Sequence, residues 1–147
     1  LVGSEMCIET ALNLGADETV VKTIKRFAAE GKLVAAICAA PSVLGENHIL
    51  EGKKATCHPG FEEKLLGAQW LEQPVVVDGN VITSRGMGTA IAFALELVRY
   101  FTDDATVEHI RQGLDTRPAS PCIITKEVTH QPHGARPLFM LAFEAYI

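Results

Sequence analysis

Three features of the sequence predict an α/β protein. An amphipathic helix that ends near Gly31 is followed by a continuously apolar stretch, Leu33 to Ile37, which is typical of a parallel strand covered on both faces. Two short apolar runs, Val75 to Val77 and Val81 to Thr83, flank residues that suit a tight turn, which predicts an antiparallel hairpin. Helical periodicity returns from Thr89. Helices and buried strands in this order imply a layered α/β fold.

The first predicted elements have clear start and stop signals. Asp17 is a suitable N-cap for the first helix, and Gly31 is a natural stop. The apolar residues of this helix recur at spacings of three and four: Val20, Val21, Ile24, Phe27 and Ala28. Pro41 is tolerated in the first turn of the next helix, which the pattern allows to run through Leu50 until Gly52.

Two more helices are predicted after the hairpin. Apolar residues recur at helical spacing in the first of them: Ile91, Ala94, Leu95, Val98 and Phe101. Asp103 or Asp104 is placed to cap a shorter helix that follows. Residues 115–147 contain four prolines and little periodicity before Leu138. The sequence therefore divides into an α/β domain at 1–114 and an unassigned tail at 115–147.

Composition and charge narrow the classes of protein. A chain of 147 residues that is 48% apolar and 21% charged has the balance of an ordinary globular domain. The net charge of -5, without a block of like charges, argues against nucleic acid and anionic membrane surfaces as partners. No apolar run reaches the roughly 18 residues of a membrane span, and no signal-peptide pattern opens the sequence, so we expect a cytoplasmic protein.

The four cysteines and five histidines do not predict a metal site. They form no C-x-x-C pair and no zinc-ligand spacing. A chain of this kind more often keeps its thiols reduced than pairs them in disulfides. The reactivity of the individual cysteines therefore becomes the question.

Cys38 lies at a predicted strand-to-helix junction with small residues around it. In the stretch "LVAAICAAPSVLGE", Ala36 stands two residues before Cys38, and Ala39 and Ala40 follow. This is the pattern of a nucleophile elbow, in which a sharp turn admits only small flanking side chains. The Ala39 N–H would be the nearest backbone donor for an oxyanion, and the helix N-terminus would favour a thiolate. The alternative is that Cys38 fills the core as a small hydrophobe.

His58 is the candidate partner of this thiol. It follows the strand-like stretch Lys54 to Thr56, and Pro59 biases it towards an extended backbone. If the two strands are parallel neighbours, their carboxyl ends bring Cys38 and His58 to one edge of the sheet. The alternative is a loop histidine held by backbone groups. Cys57 would point to the opposite face and is interpreted as a core residue.

The stretch "TSRGMGTA" forms a glycine-bearing loop that opens a helix. Arg85 and Gly86 lie in this loop, where an anion could bind at the helix N-terminus. A Gly-x-Gly spacing alone is weak evidence for phosphate, and a plain turn is the alternative.

Several stretches together resemble the ThiJ/PfpI family, which includes the Parkinsonism-associated protein deglycase and its bacterial relatives. The matching stretches are "ADETVVKTIKRFAAEGK", "LVAAICAAPSVLGE", "GKKATCHPGFEEKL" and "VVVDGNVITSRGMGTAIAFALELV", in this order. The resemblance implies a flavodoxin-like three-layer sandwich with a mostly parallel sheet, usually in a homodimer. It also implies that Cys38 is the nucleophile, that His58 faces the elbow, and that the loop with Arg85 and Gly86 lies close to the site and to the dimer contact.

The resemblance further implies an activity. Family members are described as cofactor-free glyoxalases and deglycases that act on methylglyoxal, glyoxal adducts and glycated proteins, and as oxidation-sensing chaperones. The family's glutamate lies near its amino terminus, and "GSEMCIET" is similar to that segment, so Glu9 is the candidate proton shuttle. A solvated surface residue is the alternative for Glu9.

The resemblance also marks one departure. Between the positions that match Thr10 and Leu12, the family carries further β/α units and a Pro-Gly-Gly loop that supplies another backbone donor, and this block is absent. The sheet and the oxyanion site are therefore expected to be incomplete relative to the family.

Three functions remain open from the sequence. The first is a cysteine-dependent glyoxalase or deglycase that uses Cys38, His58 and Glu9 and needs no cofactor. The second is a catalytically impaired redox sensor or chaperone in which Cys38 oxidises without turnover. The third is a cysteine amidase or peptidase, which would share the elbow and the histidine.

Overall fold

The computed structural model describes the backbone of residues 2–3 and 8–114 and the side chains of residues 11–114. The tail predicted at 115–147 lies outside the described residues. The helices are α1 (Ile8–Ala16), α2 (Glu18–Ala29), α3 (Pro41–Glu46), α4 (Ala90–Phe101) and α5 (Asp104–Gly113). The strands are β1 (Val2–Gly3), β2 (Val34–Ile37), β3 (Lys54–Ala55), β4 (Gln69–Trp70), β5 (Val75–Asp78) and β6 (Val81–Ser84).

In the described part of the chain, four strands form the main sheet, in the order β1-β2-β6-β5. β2 is parallel to both β1 and β6, whereas β5 is antiparallel to β6. The register pairs Ile37 with Ser84, so β2 and β6 end side by side. The predicted hairpin is confirmed, because Asp78 pairs with Val81 across a turn in which Gly79 has a positive φ of 61°.

The side chains of β2 alternate between two cores, as a strand with a period of two requires. Val34 and Ala36 belong to the core that includes Phe27 of α2 and Leu44 of α3. Ala35 and Ile37 belong to the core that includes Phe93 of α4. Helices therefore cover both faces of the sheet, and the predicted three-layer α/β architecture is confirmed.

The predicted aspartate N-caps are confirmed for α2 and α5. The Asp17 carboxylate accepts hydrogen bonds from the N–H groups of Thr19 and Val20 at 2.7 and 3.2 Å. The Asp103 carboxylate accepts from the N–H of Thr106 at 2.7 Å. This hydrogen bond holds the pKa of Asp103 below its ordinary value.

The prediction that α3 continues through Leu50 is wrong. The helix ends at Glu46, where the Asn47 side chain donates to the carbonyl oxygen of Val43 at 2.9 Å. His48 then takes a positive φ of 62°, which no α-helix continues. Because the chain turns here, it is directed towards β3.

The Lys54 stretch is not a neighbour of the Cys38 strand, so the condition under which adjacent strands would bring Cys38 and His58 together is not met. β3 pairs with β4 in a separate two-stranded sheet, and the neighbours of β2 are β1 and β6. β6 has four buried residues and β3 has one, so β6 offers β2 a longer buried strand to pair with. Among the described helices, none has the length and apolarity that crossing a membrane requires.

Candidate functional site

Cys38 occupies a sharp turn between β2 and α3. Its φ is 65°, a left-handed conformation that costs a non-glycine residue of order 1–3 kcal/mol. The Cys38 N–H donates to the carbonyl oxygen of Ser84 at 3.0 Å, which anchors the turn to the end of β6. Ala36, Ala39 and Ala40 around it are all buried. The predicted elbow with small flanking residues is therefore the geometry of this junction.

The Cys38 side chain lies at the edge of the core that faces α4. The residue is 9% exposed and packs among apolar groups that include Ile37 and Ile82. A thiol in this position is close to the surface without being fully open to water. Both interpretations of Cys38, as a core residue and as a reactive residue, have a basis in this placement.

His58 meets Cys38 through the backbone rather than through adjacent strands. The His58 N–H donates to the carbonyl oxygen of Cys38 at 2.9 Å. The His58 ring lies at 83° to the ring of Phe61, with centroids 6.1 Å apart, in an edge-to-face contact. The structure thus brings the two predicted residues together, although the route differs from the predicted one.

The tautomer of His58 follows from its other hydrogen bond. Nδ1 lies 2.8 Å from the carbonyl oxygen of Pro59. A carbonyl oxygen can only accept, so Nδ1 carries the proton of this bond. In the neutral imidazole the lone pair is then on Nε2, which is the atom able to take a proton from a neighbouring acid.

Gly86 lies against both the thiol and the imidazole. A Cβ atom added at Gly86 would stand 3.7 Å from Cδ2 of His58 and 4.0 Å from Sγ of Cys38. The glycine therefore forms a surface that the two side chains share. Sequence reasoning placed Gly86 beside the site but not in contact with both groups.

Two hydroxyl groups hold the Gly86 loop. Thr89 Oγ1 contacts both the N–H and the carbonyl oxygen of Gly86, at 3.1 and 2.8 Å. It also lies 2.7 Å from Ser84 Oγ, which in turn lies 2.9 Å from the carbonyl oxygen of Pro74. The Ser-x-Gly-x-x-Thr spacing at residues 84–89 is the signal in the sequence that could have indicated this network.

Arg85 belongs to the same loop and is partly buried. Its guanidinium lies 3.1 Å from a carboxylate oxygen of Glu72, which is largely exposed. The charge of Arg85 is thus already paired in this structure. The predicted anion site at this loop stays a prediction.

Cys57 is a different kind of thiol. It is 1% exposed and belongs to the core that includes Val34 and Ala36, on the face of β2 opposite to that of Cys38. Burial raises the pKa of the Cys57 thiol to about 11, and the negative charge of Glu62 contributes in the same direction. The interpretation of Cys57 as a core residue is confirmed.

The N-terminal helix approaches the elbow. Ala11 of α1 is buried in a small cluster with Ala39 and Val43, so α1 packs next to the residue that follows Cys38. Glu9 lies two residues earlier in the same helix, but its side chain lies outside the described residues. Within the described part of the chain, His, Cys, Asp and Glu side chains form no group of three that could hold a metal ion.

The fold and the site define the class: an α/β protein with a cysteine at a strained strand-to-helix elbow. Comparison with known proteins gives the family. The model of the DJ-1/PfpI family matches residues 8–100. Since this match covers more than half of the sequence, the chain belongs to the DJ-1/PfpI family, and the predicted resemblance is confirmed.

Three curated proteins illustrate what the chain is similar to. Protein DJ-1 homolog B of Arabidopsis thaliana is 46% identical over 85 residues, which cover 57% of this chain and 19% of that protein. A deglycase of Pyrococcus abyssi is 36% identical over 85 residues, covering 56% of this chain and 51% of the relative. Isonitrile hydratase of Pseudomonas putida is 35% identical over 107 residues, covering 71% and 47%.

Solved structures give the same fold. The crystal structure of Drosophila melanogaster DJ-1beta matches with a TM-score of 0.65 and 34% identity, over 70% of this chain and 56% of that chain. The flavodoxin-like α/β class is therefore established for the domain. The chain spans about half the length, or less, of the relatives it matches.

Proposed function

We propose that this protein is a cysteine-dependent glyoxalase or deglycase that needs no cofactor and uses Cys38 as its nucleophile. The observation that carries the proposal is the left-handed turn at Cys38, with φ of 65°, whose carbonyl oxygen binds the His58 N–H. Strain at a reactive-type residue is characteristic of functional sites. A relative named deglycase, 36% identical, supports the same chemistry.

His58 is the proposed base. Its Nδ1 is committed to the carbonyl oxygen of Pro59, so Nε2 is the atom that would accept a proton. The Cys38 thiol and the His58 ring both border the position that a Cβ of Gly86 would take, which supports the two groups acting in one site. The resulting thiolate is the nucleophilic form of cysteine.

The proposed reaction with methylglyoxal runs through a thioester. The thiolate attacks the aldehyde carbon to form a hemithioacetal, and the carbonyl oxygen takes up a proton. A proton then leaves the former aldehyde carbon and one is added at the neighbouring carbon, while the hydroxyl proton passes to the oxygen on that neighbouring carbon, which gives a 2-hydroxyacyl thioester. Water hydrolyses this thioester, releasing lactate and the free thiol, so that one methylglyoxal and one water yield one hydroxy acid.

Two further groups have proposed roles in these steps. Ala39 is buried beside Cys38, and its N–H is the proposed donor to the oxyanion that forms during the attack. Glu9 is the proposed carrier of the proton between the two carbons. The packing of Ala11 against Ala39 brings the helix that contains Glu9 to the elbow, and the choice of Glu9 itself comes from the family resemblance.

The oligomeric state of the protein and the class of its substrate are proposals of the same kind. Membership of the DJ-1/PfpI family supports a homodimer that acts on small aldehydes or glycated proteins. Analytical ultracentrifugation at several protein concentrations tests the dimer directly.

The decisive experiment measures methylglyoxal loss and lactate formation by the folded protein and by Cys38→Ser. Cys57→Ser is the matched control, because it changes a buried thiol in the other core. We expect Cys38→Ser to abolish lactate formation and Cys57→Ser to retain it. Equal lactate formation by the protein and by Cys38→Ser would reject the proposal.

A second reaction has support from the isonitrile hydratase of Pseudomonas putida, which is 35% identical over 107 residues. By its name, that enzyme adds water to an isonitrile. In the corresponding proposal, the Cys38 thiolate would attack the isonitrile carbon, which takes up a proton to give a thioimidate. Water would then add to this carbon and expel the thiolate, which releases an N-substituted formamide. Formamide production without lactate production would favour this reaction.

A further inference from the structure

A buried hydrogen bond joins the two sheets beneath the candidate site. The backbone N–H of Thr56 donates to the hydroxyl oxygen Oγ1 of Thr83 at 2.9 Å, and both residues are fully buried. Thr56 follows β3, whereas Thr83 lies in β6. The bond therefore attaches the segment that leads to His58 to the strand that anchors Cys38.

Three hydrogen bonds complete a ring around the site. The carbonyl oxygen of Ser84 accepts from the Cys38 N–H, the carbonyl oxygen of Cys38 accepts from the His58 N–H, and Thr83 Oγ1 accepts from the Thr56 N–H. Thr83 and Ser84 are adjacent in β6, and Thr56 stands two residues before His58. The ring runs from β6 to the thiol, on to the histidine and back to β6.

Thr83 supplies the side-chain member of this ring, since the other acceptors are backbone carbonyl groups. The Thr56 hydroxyl is not a member, because in the described part of the chain its Oγ1 is buried without a hydrogen-bond partner. A buried N–H that loses its acceptor is strongly unfavourable, so the segment would move if Thr83 could not accept.

We infer that Thr83 is a positioning residue that fixes His58 relative to Cys38 through the backbone of Thr56. The inference rests on the proposed cysteine chemistry, and it adds a residue that acts through the backbone of Thr56. It requires a hydroxyl at residue 83 and no hydroxyl at residue 56. The chain thus provides its own matched pair for a test.

The readout is the pH dependence of Cys38 alkylation by iodoacetamide, measured by mass spectrometry of the Cys38 peptide. His58→Gln gives the profile of a thiol without its imidazole. We expect Thr83→Val to shift the profile in the direction of His58→Gln, with a change of about threefold in rate at pH 7, as half a pH unit produces. Thr83→Ser, which keeps the hydroxyl, should follow the parent protein.

Two controls separate positioning from loss of stability. Thr56→Val removes the unpaired hydroxyl but keeps the N–H, and it should leave the profile unchanged. Val107→Ala makes a hole at a fully buried residue of α5, and it should lower the melting temperature without moving the profile. Glu62 and Arg85, whose charges act on the adjacent Cys57 thiol, are unchanged in every variant.

A double variant tests whether Thr83 acts on Cys38 through His58. In the His58→Gln background, Thr83→Val should have no further effect, because the group it positions is absent. An equal shift in both backgrounds would overturn the inference, as would a parent-like profile for folded Thr83→Val or for His58→Gln itself. None of these measurements needs turnover, so failure of the lactate assay and failure of this inference are distinguishable.

Discussion

The backbone N–H of His58 donates to the carbonyl oxygen of Cys38 at 2.9 Å. Main-chain atoms therefore set the distance between the segments that carry the thiol and the imidazole. The side chain of His58 makes a separate bond, from Nδ1 to the carbonyl oxygen of Pro59. Changing the imidazole consequently leaves the main-chain link intact, which makes His58 suitable for a functional substitution.

His58→Gln should lower turnover while the protein stays folded. Loss of a general base typically lowers a rate by about 10²–10⁴-fold, and we expect a decrease of this size in lactate formation. The melting temperature should change little, because the backbone bond to Cys38 remains. Retention of full activity in a folded His58→Gln protein would remove His58 from the mechanism.

Cys57 should be unreactive in the native protein. Its pKa of about 11, raised by burial, leaves only about one thiol in a thousand ionised at pH 8. Iodoacetamide at pH 8 should therefore leave Cys57 unmodified over a time in which Cys38 is alkylated. Unfolding in urea should make Cys57 reactive, which is the positive control, and native alkylation of Cys57 at the rate of Cys38 would contradict the assigned burial.

The same thiol should lower stability at alkaline pH. The folded state keeps Cys57 protonated up to a pKa of about 11, whereas the ordinary value of 9.0 applies to the unfolded chain. This contribution to the free energy of unfolding is fully present below pH 9 and is lost as the pH rises towards 11. Urea titrations of the protein and of Cys57→Ala at pH 8 and pH 10.5 should show a smaller decrease for the variant. Equal decreases would contradict the raised pKa.

Local chemistry made part of this fold predictable. Asp17 caps α2 because a carboxylate directly before an amphipathic run has N–H groups to accept from. The hairpin around Gly79 and the turn at Cys38 were likewise encoded by residue types within a few positions. Each of these features depends on neighbours in the sequence.

Long-range pairing was not predictable in the same way. The proximity of Cys38 and His58 was expected from adjacent strands. In the structure, β6 lies beside β2, and the two residues are joined by a backbone hydrogen bond. The bond between Thr56 and Thr83 joins residues 27 positions apart and leaves no local pattern. Glu9 was suggested by the family resemblance alone, and its side chain lies outside the described residues.

Gly45→Ala should destabilise the protein strongly. An added Cβ would stand 2.2 Å from the carbonyl oxygen of Lys64 and 2.7 Å from Cα of Leu65, so backbone atoms would have to move. We expect a loss of about 3 kcal/mol or more in the free energy of unfolding, at or above the upper end of ordinary overpacking. Gly15→Ala is the matched control, because its Cβ would meet only Val43 at 3.6 Å. Similar unfolding midpoints for the two variants would contradict the close approach of α3 to residue 64.

Thr89→Val should loosen the loop that carries Gly86. The Ser84 and Thr89 hydroxyls supply two protons. Three contacts each need one of these protons: Ser84 with the Pro74 carbonyl, Thr89 with the Gly86 carbonyl, and the contact between the two hydroxyls. The two hydroxyls therefore share their protons among three contacts. Removing the Thr89 hydroxyl leaves the Gly86 N–H without this acceptor, and we expect a loss of about 1–3 kcal/mol in the free energy of unfolding. Thr89→Ser keeps the hydroxyl and should lose much less.

Because Gly86 lies against both His58 and Cys38, Thr89→Val should also slow Cys38 alkylation at pH 7. A parent-like rate of alkylation would show that the loop does not support the site.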